Sequence, residues 1–402
     1  MAKNYMQGWF AVLRKYMRQW LKYAREALPA WFRMMRKTPP PPEYMMPNTL
    51  RFQFGQKGYD PVAAGVGTSG TWKHIVDNVW DWTNNNTSWA SAFFPAAKTG
   101  AFMDYENNPV KVIAAGDTSS VTDFSRLFRF CSAITEFCNI DTSNATTTRL
   151  LFGECTNCEK FPSYLDFRKT TDCLAVFQGC SKLTKAPDRI DFPSDHNYQL
   201  TNFFRGCENL EIVPLYDISG CTSTEGMFMA LSDSGYLTGI MRLKAVPLFN
   251  TSSVTNMTQM FTGCVMLTEI PNFDTSSVTS MNNMLSAFWA PGSGIDYKMN
   301  IAKVPEFDYS KCTNLAGFMR NNASIAEIPA MNVRSGLVQV GFMFSDCPNV
   351  KSGQKALYDK LSAISTITNH TDCFKDCGSD TEEGRAELAQ IPASWGGTME
   401  EA

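Results

Sequence analysis

The chain has 402 residues, of which 44% are hydrophobic and 19% are charged. This balance is typical of a folded globular protein and excludes extensive disorder away from the chain ends. The net charge of −3 hides an asymmetry, because residues 1–46 hold nine Lys or Arg against Glu26 and Glu43, a balance of +7 that leaves −10 for the remainder. The body of the protein is therefore predicted not to bind nucleic acid.

Residues 1–46 are predicted to form a basic amphipathic anchor helix followed by a proline linker. Apolar side chains recur at helical spacing from Trp9 to Ala24, with Arg and Lys between them, until Pro29 interrupts the helix. Pro39–Pro42 then form a stiff spacer. The favoured interpretation is a helix buried in a larger assembly, with docking on its own chain and binding to a membrane surface as alternatives. The predicted assembly anchor is Trp9, Phe10, Arg14, Tyr16, Arg18, Trp20, Arg25 and Trp31.

The anchor segment does not have the features of an export or membrane sequence. A signal peptide would need an uninterrupted apolar region and a small-residue cleavage site, and neither is apparent. No window approaches the roughly 20 apolar residues of a membrane span. Membrane association is therefore not expected to be the main role of the segment.

Residues 47–107 are predicted to form an N-terminal cap. Residues 50–54 alternate in the manner of a strand, and four tryptophans follow at Trp72, Trp80, Trp82 and Trp89. A stack of repeats needs its terminal apolar face covered. We therefore favour a cap over the alternative of a carbohydrate-binding face.

Residues 108–350 consist of a repeat whose usual period is 24 residues. An apolar residue opens each unit, and the ten such positions are Val110, Ile134, Cys158, Leu183, Leu210, Leu243, Leu267, Ile301, Ile325 and Val350. Behind each comes a short apolar stretch that often ends in Pro, then Asp or Asn two residues before Ser or Thr, then apolar residues at helical spacing. The unit closes with Phe-x-x-Cys. The pattern predicts a short strand, a capped helical turn and a tight return in every unit.

Two units are longer than the others. The segments from Phe228 to Leu243 and from Leu285 to Ile301 contain about nine and ten extra residues, which are expected on one edge of the stack. Insertions in repeat proteins often lie on the binding face. A possible ligand patch consists of Tyr236, Phe288, Trp289 and Tyr297, and harmless surface variation is the alternative.

These motifs carry a resemblance to a known family. The composite pattern Phe-x-Gly-Cys-x-x-Leu-x-x-Ile-Pro-x-Phe-Asp-Thr-Ser-x-Val-Thr-x-Met-x-x-Met-Phe resembles the BspA-like leucine-rich repeats of bacterial surface proteins and of phages of gut bacteria, over about residues 108–378. The period and the resemblance together predict an α/β leucine-rich-repeat solenoid of about ten turns with one parallel sheet, capped at both ends. Residues 351–402 would supply the last turn and a C-terminal helical cap, with helices at residues 354–362 and 382–390.

The cysteines and histidines are expected to be structural. Seven of the thirteen cysteines occupy the Phe-x-x-Cys position, where stacked units would form a ladder of buried, reduced thiols, a reading favoured over disulfides or a metal site. His74, His196 and His370 have no obvious partner, and no catalytic motif or phosphate loop appears. The chain is therefore predicted not to be an enzyme, and no cofactor is expected.

The resemblance implies a binding or structural role. Together with the anchor it suggests a phage virion protein that contacts other virion proteins through residues 1–46 and a host-surface glycan or protein through the solenoid. The alternative is a bacterial cell-surface adhesin. An enzyme acting on polysaccharide would need a paired-carboxylate cleft, which the repeat pattern does not predict.

Overall fold

The computed structural model describes residues 45–93, 102–233, 236–287, 294 and 297–399, so the predicted anchor lies outside the described residues. The strands are β1 (Thr49–Phe54), β2 (Thr71–Val76), β3 (Val79–Thr83), β4 (Val110–Ala115), β5 (Ile134–Phe137), β6 (Tyr164–Asp166), β7 (Arg189–Asp191), β8 (Tyr198–Gln199), β9 (Cys221–Ser223), β10 (Ser232–Asp233) and β11 (Tyr236–Leu237). The helices are α1 (Gln354–Ser362) and α2 (Glu382–Leu388), followed by a 3-10 turn at Ala393–Trp395. The strand predicted at residues 50–54 and the two C-terminal helices are confirmed, although the second helix ends two residues earlier than predicted.

The prediction of an α/β leucine-rich-repeat solenoid with about ten strands in one parallel sheet is wrong. The described residues form a five-stranded sheet in the order β2-β3-β1-β4-β5, in which only β4 and β5 pair in parallel. The other sheets have two strands each. Further contacts between units are isolated parallel bridges, such as those that join Asn256 to Ser280 and Ser280 to Asn314. Both α-helices of the described residues lie at the C-terminal end.

The predicted helical turn of each unit is a series of β-turns. A residue with positive φ lies two positions before the Phe position of the repeat, as at Leu150 (55°), Gln259 (56°) and Asn283 (51°). An α-helix needs negative φ throughout, so such a residue ends it. The backbone N–H groups donate to the next unit instead, Gln259 to the Asn282 carbonyl and Asn283 to the Ala316 carbonyl, both at 2.8 Å. The apolar residues at helical spacing therefore lie on consecutive β-turns, whose N–H groups donate to the next unit instead of within a helix.

The apolar positions that open the units form the core, as predicted. All ten are at most 1% exposed. The phenylalanines of Phe-x-x-Cys stack beside them, and the Phe152 ring centroid lies 6.1 Å from that of Phe128 and 5.4 Å from that of Phe177. Each unit therefore completes the core of its neighbours.

The N-terminal residues cover the first unit. Strand β1 pairs antiparallel with β4, and the side chains of Trp82 and Trp89 are 0% and 1% exposed. Their indole N–H groups donate to the backbone carbonyls of Gly67 and Asn84. Trp82 and Trp89 are therefore core residues and cannot form a sugar-binding face.

Candidate functional site

An exposed apolar stripe crosses two consecutive units, which open at Leu210 and Leu243. It consists of Ile212, Leu215 and Leu248, whose side chains are 55%, 67% and 60% exposed. Ile212 is bridged to Lys185 of the preceding unit, at a position where other units carry charged residues such as Glu136 and Lys160. Leu215 and Leu248 each follow Val-Pro and so occupy equivalent positions of consecutive units. Contiguous exposed apolar side chains mark interaction surfaces.

A polar network joins strands β6 and β7, which precede the stripe in the chain. The Tyr164 hydroxyl donates to Asp191 Oδ2 at 3.0 Å, and the Arg189 guanidinium lies 5.3 Å from the centre of the Tyr164 ring. Arg189 also makes two hydrogen bonds to the Asp191 carboxylate, at 2.7 and 2.8 Å. Desolvation, followed by the hydrogen bond to Asp191, raises the pKa of Tyr164 to about 12. The Tyr164 ring is therefore neutral and is held in place by Asp191 and Arg189.

The Phe-x-x-Cys thiols form a buried column. Cys155 Sγ donates to the Phe128 carbonyl, Cys180 Sγ to that of Phe152 and Cys207 Sγ to that of Phe177, each at 3.1 Å. The column consists of Cys131, Cys155, Cys180, Cys207, Cys264, Cys347 and Cys377, all buried and unpaired with another cysteine. Burial raises the pKa of these thiols above the usual range. The predicted burial of the thiols is confirmed. The thiols of Cys155, Cys180 and Cys207 each join their unit to the preceding one.

The predicted ligand patch is only partly described. Phe288, Trp289 and the side chain of Tyr236 lie outside the described residues. The Tyr297 side chain is 52% exposed. Leu237 of the other insertion is 3% exposed, so this residue packs into the core. The patch therefore stays a prediction.

The three histidines have partners that the sequence did not reveal. Nε2 of His74 lies 2.8 Å from the Asp77 carbonyl, and His196 Nδ1 lies 2.7 Å from Asp195 Oδ1. The His370 ring stacks on Trp395 at 4.3 Å. In the part of the chain that the structure describes, no group of three His, Cys, Asp or Glu side chains is arranged to hold a metal ion.

Two cavities open at the surface, and the sequence predicted neither. A cavity of about 420 Å³ lies against the C-terminal helices and is lined by Asp372, Lys375, Asp376, Ser379, Arg385, Leu388, Ala393, Gly396, Gly397 and Thr398. A cavity of about 230 Å³ interrupts the repeats and is lined by Thr171, Asp172, Leu174, Asn197, Tyr198, Gln199 and Thr222. The one sequence signal for the second cavity is the length of its unit, since Leu183 and Leu210 are 27 residues apart where 24 is usual.

These features define a repeat protein whose units are joined by strand and turn hydrogen bonds and which presents an apolar stripe. The chain belongs to the DUF285 family, described as "Mycoplasma protein of unknown function, DUF285", whose family model matches residues 97–214, 198–288 and 222–356. The overlapping matches are typical of internal repeats. No curated protein matches the chain, and no solved structure does. Among the helices of the described residues, none has the length and apolar character needed to cross a membrane.

Proposed function

We propose that this protein is a non-enzymatic binding protein of a phage virion, held in the particle by residues 1–46 and presenting its repeats to the host surface. The observation that carries the adhesive part is the apolar stripe of Ile212, Leu215 and Leu248. The partner is a protein or glycoprotein surface with an apolar patch of its own.

The energetics of the stripe favour an interface. Fully burying an aliphatic side chain contributes about 1.5 to 3 kcal/mol. Scaled by the exposed fractions of the three side chains, covering the stripe would contribute roughly 3 to 5 kcal/mol before the cost of association. This amount suits the apolar centre of an interface.

The proposal of a virion component is supported by the N-terminal segment. Its balance of +7 contrasts with −10 for the rest of the chain, so the two parts suit different partners. A basic segment rich in aromatic residues suits an acidic groove on another virion protein. The resemblance to repeats encoded by phages of gut bacteria supports the same assignment.

The alternative is a bacterial cell-surface adhesin. The apolar stripe would serve this function equally well, because the stripe determines what the repeats bind and does not determine where the chain is held. The two functions differ in whether the protein is found on particles or on cell envelopes.

The adhesive function is tested with fluorescently labelled protein and a panel of envelope preparations from gut bacteria. The double variant Leu215→Asp, Leu248→Asp replaces two exposed leucines with carboxylates, so we expect binding to fall at least about tenfold with an unchanged melting temperature. The matched control is Asn272→Asp, which adds a carboxylate at the residue after Pro271, the equivalent exposed position of the next unit. Envelope binding by the folded double variant at the level of the control would contradict the proposal.

A further inference from the structure

A column of parallel β-bridges joins successive units, and it is interrupted at one point. Bridges link Ser88, Asp123, Thr147 and Asp172 in succession, and a second series runs from Ser223 to Asn369. Gln199 pairs with Ser223 in the second series. Among the described residues, no bridge joins Asp172 to Gln199. At this step the Cys173 thiol donates to the Gln199 carbonyl at 3.3 Å, and the backbone ladder resumes with the N–H of Ala175, which donates to the Thr201 carbonyl.

The interruption leaves a backbone acceptor available. Elsewhere along the threonine column, one carbonyl oxygen accepts both the backbone N–H and the hydroxyl of the threonine in the next unit. The Thr255 carbonyl accepts both groups of Thr279, at 2.8 and 3.1 Å, and the Thr146 carbonyl accepts both groups of Thr171, at 2.9 and 3.1 Å. The described residues give the Thr171 carbonyl no donor. An acceptor without a protein partner is satisfied by water or by a ligand.

The cavity of about 230 Å³ lies at this interruption. Thr171 and Asp172 line it from one side and Gln199 from the other, while Asn197 belongs to the segment that lengthens this unit. The Asp172 carboxylate is held in place by the N–H of Leu174 at 3.2 Å and by Arg149 at 3.5 Å. The side chains of Asn197 and Gln199 are exposed. The opening thus joins a fixed carboxylate, hydroxyl groups and two amides that face solvent.

We propose that this cavity binds a single neutral sugar ring, a hexose or an N-acetylhexosamine, at the end of a surface glycan. This inference rests on the proposed adhesive function and names a ligand class for it.

The chemistry and the size of the cavity both favour a sugar ring. Sugar hydroxyls donate and accept hydrogen bonds, so they match a site that offers carboxylate and carbonyl acceptors together with amide groups that do both. The volume of about 230 Å³ is smaller than the roughly 300 to 1,000 Å³ of clefts that hold drug-sized ligands. One ring is therefore the size that fits. Because the Asp172 carboxylate is paired with Arg149, the described residues that line the cavity offer no unpaired positive charge to hold an anionic sugar.

The test uses the whole protein and free sugars in saturation-transfer NMR. The probes are glucose, galactose, N-acetylglucosamine and N-acetylgalactosamine at about 10 mM, with N-acetylneuraminic acid as the anionic comparator. We expect at least one neutral sugar to bind with a dissociation constant in the millimolar range. Gln199→Ala and Asn197→Ala should each weaken that binding at least about tenfold. Both residues are exposed, so the variants should keep the melting temperature of the parent protein.

The matched control is Gln339→Ala. Gln339 occupies a bridge position where the ladder is closed, between Asn314 and Asn369, so its replacement should leave sugar binding unchanged. The inference is overturned if none of the four neutral sugars binds, if only the anionic sugar binds, or if Gln199→Ala binds as well as the Gln339→Ala control.

The apolar-stripe variant separates this inference from the proposed function. Leu215→Asp, Leu248→Asp should keep full sugar binding, because neither residue lines the cavity. If the parent protein binds envelopes but no sugar, the cavity site alone is refuted. If the parent protein binds neither envelopes nor sugars, the adhesive function is refuted as well.

Discussion

Replacing Cys180 with Ala should measure what one thiol of the column contributes to stability. The Cys180 thiol is fully buried and donates to the Phe152 carbonyl at 3.1 Å. That carbonyl also accepts the backbone N–H of Cys155 at 3.1 Å, so the substitution leaves it with a partner. The cost is therefore the lost hydrogen bond, about 1 kcal/mol, and the lost burial of the sulfur, about 1 kcal/mol. We expect Cys180→Ala to lower the free energy of unfolding by about 2 kcal/mol.

The assay is urea unfolding in reducing buffer, followed by tryptophan fluorescence and circular dichroism. Cys138→Ala is the matched control, because Cys138 lies outside the column and is only partly buried. The control should cost less than half as much as Cys180→Ala. A change within about 0.5 kcal/mol for Cys180→Ala, or a change equal to that of the control, would refute the reasoning that the column links the units.

Three further outcomes follow. Since burial raises the pKa of every column thiol, iodoacetamide at about pH 8 should label none of the seven in the native protein and all of them in denaturant; labelling of the native column would contradict its burial. Hydrogen bonds from Lys160 and then Lys111 hold the pKa of Glu136 below its usual 4.5, so this carboxylate adds stability at higher pH that is lost as pH falls through its folded-state pKa. Glu136→Gln should therefore flatten the acid side of the stability curve from urea unfolding, and an unaltered curve would count against the ion pairs. Deleting residues 1–44 should leave the melting temperature unchanged and exclude the protein from particles, and normal incorporation would disprove the anchor.

The sequence predicts which residues are buried better than it predicts their backbone conformation. Val254, Met257 and Met260 recur at a spacing of three, and all three are fully buried. Consecutive β-turns bury the same positions as a helix, so the pattern cannot distinguish the two. The distinguishing feature is the positive φ of Gln259, which is uncommon for a residue other than glycine and leaves no signal in composition. The ten buried positions were therefore correct while the fold class was wrong.

The candidate sites, too, could be predicted from the sequence only in part. Ile212 is visible in the sequence as an apolar residue at a position where most other units have Lys or Glu. The sequence does not show whether the Ile212 side chain faces the core or solvent. The structure shows that Ile212 is bridged to Lys185 and is 55% exposed. The cavity beside Gln199 depends on a missing contact between two units, which a long repeat indicates only weakly. The predicted patch rested on insertions whose aromatic side chains, apart from Tyr297, the structure does not describe.

The central claim is that the protein is held in a virion with its repeats facing outward. Immunogold electron microscopy with Fab fragments raised against the repeats, applied to purified phage particles and to cells from the producing culture, tests it most directly. The claim predicts gold on intact particles, and the deletion of residues 1–44 should remove it. Gold confined to bacterial cell envelopes, with unlabelled particles, would contradict the claim and favour the cell-surface adhesin.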